Sequence, residues 1–499
     1  MRDVSLWNEV LGVEKTVFES VEYDQELDLL VARVRPTKRA RSRCGLCLRP
    51  CPGYDGGDGR RRWRALDLGT VKAVLEADAP RVSCRRHGVV VAAVPWARHG
   101  TGHTYAFDDT VAWLAVRCSK TAVRELMRVA WRTVGSIVTR VSADAMARTD
   151  RFANLTRIGI DEISYKRGHR YLTVIVDHDS RRLIWAAPGR DKATLNTFFD
   201  ELGPDRCAAI THVSADAADW IADVVAARCP DAVQCADAFH VVKWATEALD
   251  EVRRGVWNQA RATARTEPGR GRGRPTSDAP PRPGTDLARG LKNSRYALWK
   301  NPENLTVRQV AKLEWVAKTD PRLYRAYLLK EGLRLVFAVK GEAGKEALDR
   351  WISWARRCRI PAFVDLQKRI VRHRKTIDAT LEHGLSNGLI ESTNTKIRVL
   401  TRMAFGFTKP EALVALAMLA LSGYCPPLPG RETRNDPRIG QGSHLNDALA
   451  RAAPGSAPMQ VLSQTRPQAP YGGRPGSPAQ TAWPCAITRS WALCSSRWA

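Results

Sequence analysis

Residues 157–189 read RIGIDEISYKRGHRYLTVIVDHDSRRLIWAAPG. Three apolar runs rich in Ile, Val and Leu are separated by short charged or glycine-containing turns, which predicts three consecutive strands in a meander. Downstream the pattern changes. ATLNTFFDEL (193–202), WIADVVAARC (220–229) and FHVVKWATEALDEVRR (239–254) read as helices, and CAAITHVSAD (207–216) and DAVQCAD (231–237) as strands between them. A meander followed by alternating helices and strands predicts a mixed α/β sheet.

The first of these strands carries Asp161 and Glu162 inside an apolar element. A carboxylate there is costly unless it is paired or binds a metal. The later strands end in Asp216 and in Asp237-Ala-Phe-His240. Taken singly, each acid reads as a solvated turn or cap residue; at the ends of neighbouring strands, Asp161, Asp216 and Asp237 would meet at one rim. A further acid lies in LSNGLIESTNTKIRVLTRMAFGF (385–407). There Asn387 and Gly388 open a helix on which Glu391, Thr395, Arg398 and Arg402 share one polar face. That face suits a metal at Glu391 and phosphates at Lys396, Arg398 and Arg402; the plainer reading is a solvated, ion-paired surface.

Upstream, Cys44-x2-Cys47 and Cys84-x2-His87 form two knuckles joined by strand-like text, and Gly45 and Gly88 adjoin the ligands. Two knuckles close a tetrahedron around a structural Zn2+, with Cys51 as a competing fourth ligand. SKTAVRELMRVAWRTVGSIVTRV (119–141) reads as two helices with a break at Val129–Ala130. Ser119 caps the first, whose apolar face holds Val123, Leu126 and Met127. The second turns Val134, Ile137, Val138 and Val141 inward and Arg132, Ser136, Thr139 and Arg140 outward, toward base edges and phosphates.

The chain has 499 residues, enough for several domains, and a formal charge of +27 in which 61 Arg outnumber 18 Lys. The Arg bias favours bidentate phosphate contact. A hydrophobic share of 44% excludes wholesale disorder, and no apolar run reaches the ~18–20 residues of a bilayer span. The opening MRDVSLWNEVLGVEK lacks a signal-peptide pattern, so a cytoplasmic protein is expected. Residues 266–290 are rich in Pro, Gly and Arg and read as a flexible basic loop. From Cys425 a stretch rich in Gly, Pro, Ser and Ala reads as a disordered tail.

The order GIDE, VSAD, ADAFHVVKWATEALDEVRR, LKNSRYALWKNPENLT (291–306) and LSNGLIESTNTKIRVLTRMAFGF resembles that of bacterial insertion-sequence transposases of the ISL-three family. The double knuckle and helix-turn-helix resemble that family's N-terminal half, although its second knuckle is often Cys-x2-Cys. The resemblance implies an RNase H-like fold with a helical insertion. It also implies an Asp-Asp-Glu triad of Asp161, Asp216 or Asp237, and Glu391, working with Mg2+ or Mn2+ on double-stranded DNA. Read along the chain, the division is a β-hairpin region (1–40), a zinc-binding module (41–100), a helix-turn-helix (105–148), the first part of the catalytic core (155–254), a basic linker and helical insertion (255–380), the last core helix (381–424) and the tail (425–499), of which the resemblance covers roughly 5–424. A homodimer or larger assembly on the nucleoid is expected. Two rivals remain at this stage: a non-catalytic DNA-binding regulator derived from an inactive element, and a nuclease of the same fold that never joins strands.

Overall fold

The computed structural model describes residues 4–216, 218–266, 283–385 and 387–431. After a short helix α1 (Val4–Val10), strands β1 (Thr16–Asp24) and β2 (Leu29–Pro36) form the expected antiparallel hairpin. The hairpin is not self-contained. With β3 (Gly53–Asp55), β4 (Arg60–Arg64), β5 (Lys72–Asp78), β6 (Arg81–Cys84) and β7 (Gly88–Val91), it enters a module of two sheets ordered β1-β2-β5-β4 and β3-β6-β7. Parallel pairing of β2 with β5 crosses from the hairpin into the cysteine-bearing segment. Phe18, Val34, Trp63, Leu75 and Trp96 fill its core.

Helices α2 (Tyr105–Ala115), α3 (Lys120–Met127) and α4 (Trp131–Arg148) follow. Ser119 caps α3 by accepting from the Ala122 amide at 3.3 Å, and Arg128 ends it in the left-handed region at φ 51°. Val123, Met127, Val134, Ile137, Val138 and Val141 are buried as expected. Leu126 is not: it is 63% exposed. An eight-residue helix buries one narrow i, i+4 stripe, here Val123 and Met127, and Leu126 lies beside it.

The central sheet contains β8 (Arg157–Lys166), β9 (Arg170–Asp177), β10 (Arg182–Pro188), β11 (His212–Ala215) and β12 (Val233–Ala236) in the order β10-β9-β8-β11-β12. The three-strand meander is antiparallel, and β11 and β12 then add parallel to β8. This is the RNase H-like arrangement. Helices α5 (Lys192–Leu202), α6 (Pro204–Ala208) and α7 (Asp219–Arg228) cover one face, packing Leu195, Phe198, Phe199 and Val225 on Ile158, Ile160, Ile175, Trp185 and Val213. The text at 207–216 is strand only over its last part, because Cys207 and Ala208 complete α6, which starts at Pro204.

A helical body follows: α8 (Ala238–Thr266), α9 (Pro283–Lys292), α10 (Arg295–Trp299), α11 (Val307–Thr319), α12 (Pro321–Val339), α13 (Gly341–Arg357), α14 (Pro361–Arg372) and α15 (Arg374–His383). It has its own core, including Leu249, Leu298, Leu329, Leu333, Trp351, Phe363 and Ile370. Within it Lys330, 2% exposed, donates to the Leu298 carbonyl at 3.0 Å and pairs with Glu331, so the end of α10 is held from below. Of the expected loop at 266–290, residues 267–282 lie outside the described residues, while 283–290 belong to α9. Ala288 and Leu291 of that helix bury themselves in the insertion core, which a solvated loop would not do. The expected tail lies outside the described residues from 432 onward.

Finally α16 (Gly388–Met403) and α17 (Pro410–Leu421) cross the second face of the central sheet together with α4. Ile390, Ile397, Leu413 and Leu416 pack with Ile163, Leu172, Val174 and Val176. Gly159 makes room for this: a methyl group there would lie 2.4 Å from Ile390 Cδ1 and 2.9 Å from His178 Nε2. Among the described residues no helix is long and apolar enough to cross a membrane. Gly159→Ala is therefore expected to lose ~1–3 kcal/mol of stability through overpacking. Urea denaturation should show part of that loss recovered in the double variant with Ile390→Val.

Candidate active site and nucleic-acid interface

In the parallel ladders Ala215 stands beside Ile160 on one side and Ala236 on the other. The next residue on each strand is Asp161, Asp216 or Asp237, so the three aspartates form one row. Their side chains point to the face that α16 covers, opposite to Ile160 and Ala215. Glu391 sits in the first turn of α16. Glu162 does not join them. It lies one residue on, toward the other face, and is paired with Arg190 at 3.4 Å.

Burial raises two of these acids, Asp161 and Glu391. Burial pushes the Asp161 carboxyl up to about 6; the Glu162 amide and His240 oppose this, and the Asp216 and Asp237 charges add to it. The Asp161 oxygens accept from the Glu162 amide and from Asn394 Nδ2, both at 2.7 Å. His240 donates through Nδ1 to Asp237 Oδ2 at 2.6 Å and holds Nε2 at 3.6 Å from Asp216 Oδ2. The Asp237 hydrogen bond, opposed by burial and helped by the Asp216 charge, raises the imidazole pKa. Burial, then the Asp237 charge, also raises Glu391. Asp237 is 2% exposed and accepts from the Phe239 amide at 3.1 Å as well, so it caps α8.

Cys44, Cys47, Cys84 and His87 place one donor atom each within 4.8 Å of one another, and among the described residues no other such set of three or more occurs. Cys44 Sγ and Cys84 Sγ lie 3.5 and 3.7 Å from His87 Nδ1, and Cys47 Sγ lies 3.8 Å from Cys84 Sγ. Those edges match a tetrahedron with Zn–S about 2.3 Å and Zn–N about 2.0–2.1 Å. The Arg86 amide, opposed by burial and assisted by the His87 amide, pulls the Cys84 thiol down to about 6, toward the ligating thiolate. Gly88 takes φ +69°, and a methyl at Gly45 would strike His99, so both glycines are required by the knuckle turns. Cys51 stays outside the quartet, with its thiol 3.4 Å from the Arg49 carbonyl.

Three segments of the chain match known families. Residues 158–417, just over half of the chain, match a family described as transposase of the ISL3 type. Residues 92–142 match the helix-turn-helix domain of transposase family ISL3, and residues 40–87 the zinc-finger of the IS204/IS1001/IS1096/IS1165 transposases. Two relatives from Mycobacterium tuberculosis strains, each a transposase for insertion sequence element IS1557, are 69% identical over 447 residues, 88% of this chain and 100% of theirs. The IS1001 transposase of Bordetella parapertussis is 27% identical over 70% of this chain and 82% of its own. The chain belongs to the ISL3 family of transposases.

This transposase is a DNA-binding enzyme of the DDE class, a metal-dependent polynucleotidyl transferase, so the regulator reading falls. On α4 its Arg132, Ser136 and Thr139 are exposed, with the two hydroxyls donating back to the Arg132 and Gly135 carbonyls. Arg140 departs from the expectation. It is engaged in a two-pronged contact, both bonds 3.1 Å, with the fully buried Asp108 of α2. Arg98 binds Asp109 at 2.7 Å and Asp144 at 2.9 Å, tying the loop after the zinc ribbon to α2 and α4. On α16, Thr395, Arg398 and Arg402 are exposed with Glu391 half-buried, as the polar face predicts, and Lys396 is half-buried. Sequence reasoning missed Asn394 and the bridging role of His240. The spacing Asp237-x2-His240 at a helix start was the available signal for His240.

Four variants of the transposase test these assignments. Cys47→Ser should release its zinc in a chromophoric chelator assay, while Cys51→Ser should keep the wild-type zinc content. Arg132→Ala should weaken binding to end DNA and reduce the salt slope of log K by about one. Arg140→Ala should instead cost ~1–3 kcal/mol in chemical denaturation, because it leaves a buried carboxylate short of a partner.

Proposed function

We propose that this transposase binds the terminal inverted repeats of its insertion sequence and catalyses Mg2+-dependent strand cleavage and strand transfer through Asp161, Asp216 and Glu391. The row of aspartates under the helix that carries Glu391 is the observation that supports this most. Its donor set is hard carboxylate oxygen, which suits Mg2+ or Mn2+. Mg2+ is commonly held by one or two carboxylates plus substrate phosphates, so the acids need not close on one another beforehand. Bound there, such ions would supply activation of water or a DNA 3′-hydroxyl and stabilisation of the leaving oxygen.

Asp161, at one end of the row beside Asp216 and bonded to Asn394 of α16, would work with both Asp216 and Glu391. Asp216 is favoured over Asp237 as the middle acid because Asp237 already caps α8 and holds His240, whereas Asp216 is 25% exposed in its side chain. His240 then keeps Asp216 oriented. Arg132, Ser136 and Thr139 would read the repeat, and Lys396, Arg398 and Arg402 would lie along the phosphates beside the site. The eleven basic against three acidic residues in 253–295 would add backbone contact independent of sequence. Pairing two ends calls for a dimer or larger assembly on DNA, working in the bacterial cytoplasm at the nucleoid.

Glu391→Gln is expected to lower cleavage and joining by about 10³-fold or more while end binding stays within about twofold. A gel assay on end-containing DNA measures both, and unchanged cleavage would remove Glu391 from the site. Joined products from the wild type exclude a nuclease that only nicks. In the same assay Asp216→Asn should be as inactive as Glu391→Gln.

A further inference from the structure

Helix α16 buries a stripe that runs Ile390, Asn394, Ile397, with Leu400 closing it. Asn394 is 3% exposed and occupies a position that the helical repeat reserves for an apolar side chain. Burying an amide there is unfavourable unless it is paired. It is paired on one side only. Nδ2 donates to Asp161 Oδ2 at 2.7 Å, while Oδ1 is buried with no hydrogen-bond partner. An ionised carboxylate can only accept, so the NH2 group must face Asp161. An orphaned acceptor costs ~1–3 kcal/mol, which residue choice for stability alone would avoid.

Asn394 also lies one turn after Glu391 on the same helix. The hydrogen bond therefore joins the helix bearing the last acid to the strand bearing the first, and it grips the Asp161 oxygen that the Glu162 amide leaves free. We infer that Asn394 is a positioning residue for the first acid: its amide fixes the Asp161 carboxylate against α16 and so sets the separation of Asp161 and Glu391 before metal or DNA arrives. This rests on the assignment of those two acids as metal-holding groups. It adds a residue that touches neither metal nor DNA but determines how well the acids act together.

The test uses the full chain bound to an end-DNA duplex. Mn2+ binding is measured by electron paramagnetic resonance, beside the Mg2+ concentration for half-maximal cleavage, the affinity for the duplex and the melting temperature. Asn394→Ala should raise the Mn2+ and Mg2+ half-saturation about tenfold or more, the range seen when a hydrogen bond to a ligand is lost. Duplex affinity should stay within about twofold, and cleavage should recover largely at high Mg2+. Asn394→Gln, which keeps the amide but displaces it by one methylene, should fall between and decides the case if the alanine variant does not fold. Unchanged metal half-saturation, whatever happens to melting or rate, overturns the inference and leaves Asn394 a packing residue. If the wild-type complex neither binds Mn2+ nor differs from Glu391→Gln, the metal-site assignment itself falls, and the inference with it.

Discussion

The parallel register of β8, β11 and β12 is the constraint on which the catalytic half depends. It aligns Ile160, Ala215 and Ala236, and the following residue on every strand is an aspartate. A slip of one residue in any of the three would turn that carboxylate to the α5–α7 face, among Phe198, Phe199 and Val225. Correct register instead gathers like charges in a place poor in water. The raised Asp161 carboxyl and the raised His240 imidazole are two responses to that crowding. A site that retains such repulsion in the folded state is favourable ground for a divalent cation, because the ion offsets repulsion already present.

The last acid reaches this row by a long route. The insertion α8–α15 folds about a core drawn mostly from its own helices, with Ala236 contributed by β12. It is nonetheless tied back to the sheet edge: the Thr380 hydroxyl of α15 donates to the Ala236 carbonyl at 2.7 Å, next to Asp237. The chain then turns at Gly384, which caps α15 in the left-handed conformation, and enters α16. Placement of Glu391 thus depends on three short-range facts, namely the Thr380 anchor, the gap over Gly159 that admits Ile390, and the Asn394 amide on Asp161.

Features with a strong local pattern were legible in the sequence. The meander of 157–189, the acids at strand ends, the two knuckles and the Ser119 cap all follow from periodicity or spacing within a few residues. What escaped is tertiary. Arg140 lies on the polar side of α4 by helical repeat, and only the packing of α2 reveals the buried Asp108 that claims it. Leu126 is apolar at an exposed position because the helix is too short to bury two stripes. Residues 283–290 lie within a Pro- and Gly-rich segment, yet Ala288 and Leu291 find a hydrophobic partner in the insertion core. Asn394 was hidden for the opposite reason. Reading α16 by its polar face at Glu391, Thr395, Arg398 and Arg402 draws attention away from a polar residue on the apolar face.

The same helix resolves an electrostatic difficulty. If the acid row is the proposed site, it repels the phosphate backbone it would cut, and metal ions would neutralise only the immediate site. Along α16 the exposed face passes from Glu391 through Thr395 to Arg398 and Arg402, which at 1.5 Å per residue is a rise of roughly 16 Å from acid to the last cation. Phosphates drawn to Arg398 and Arg402 would lie roughly one to two Debye lengths from the acids at physiological salt. In the proposed arrangement the +27 excess would matter less as a total than as this gradient: cations roughly two to three turns from Glu391 would attract the backbone without pairing with the acid itself. An Arg at position 395, a single turn from Glu391, would form an i, i+4 ion pair with it and compete for the group the metal needs. Thr395, uncharged and exposed, would keep the two proposed functions of the helix apart.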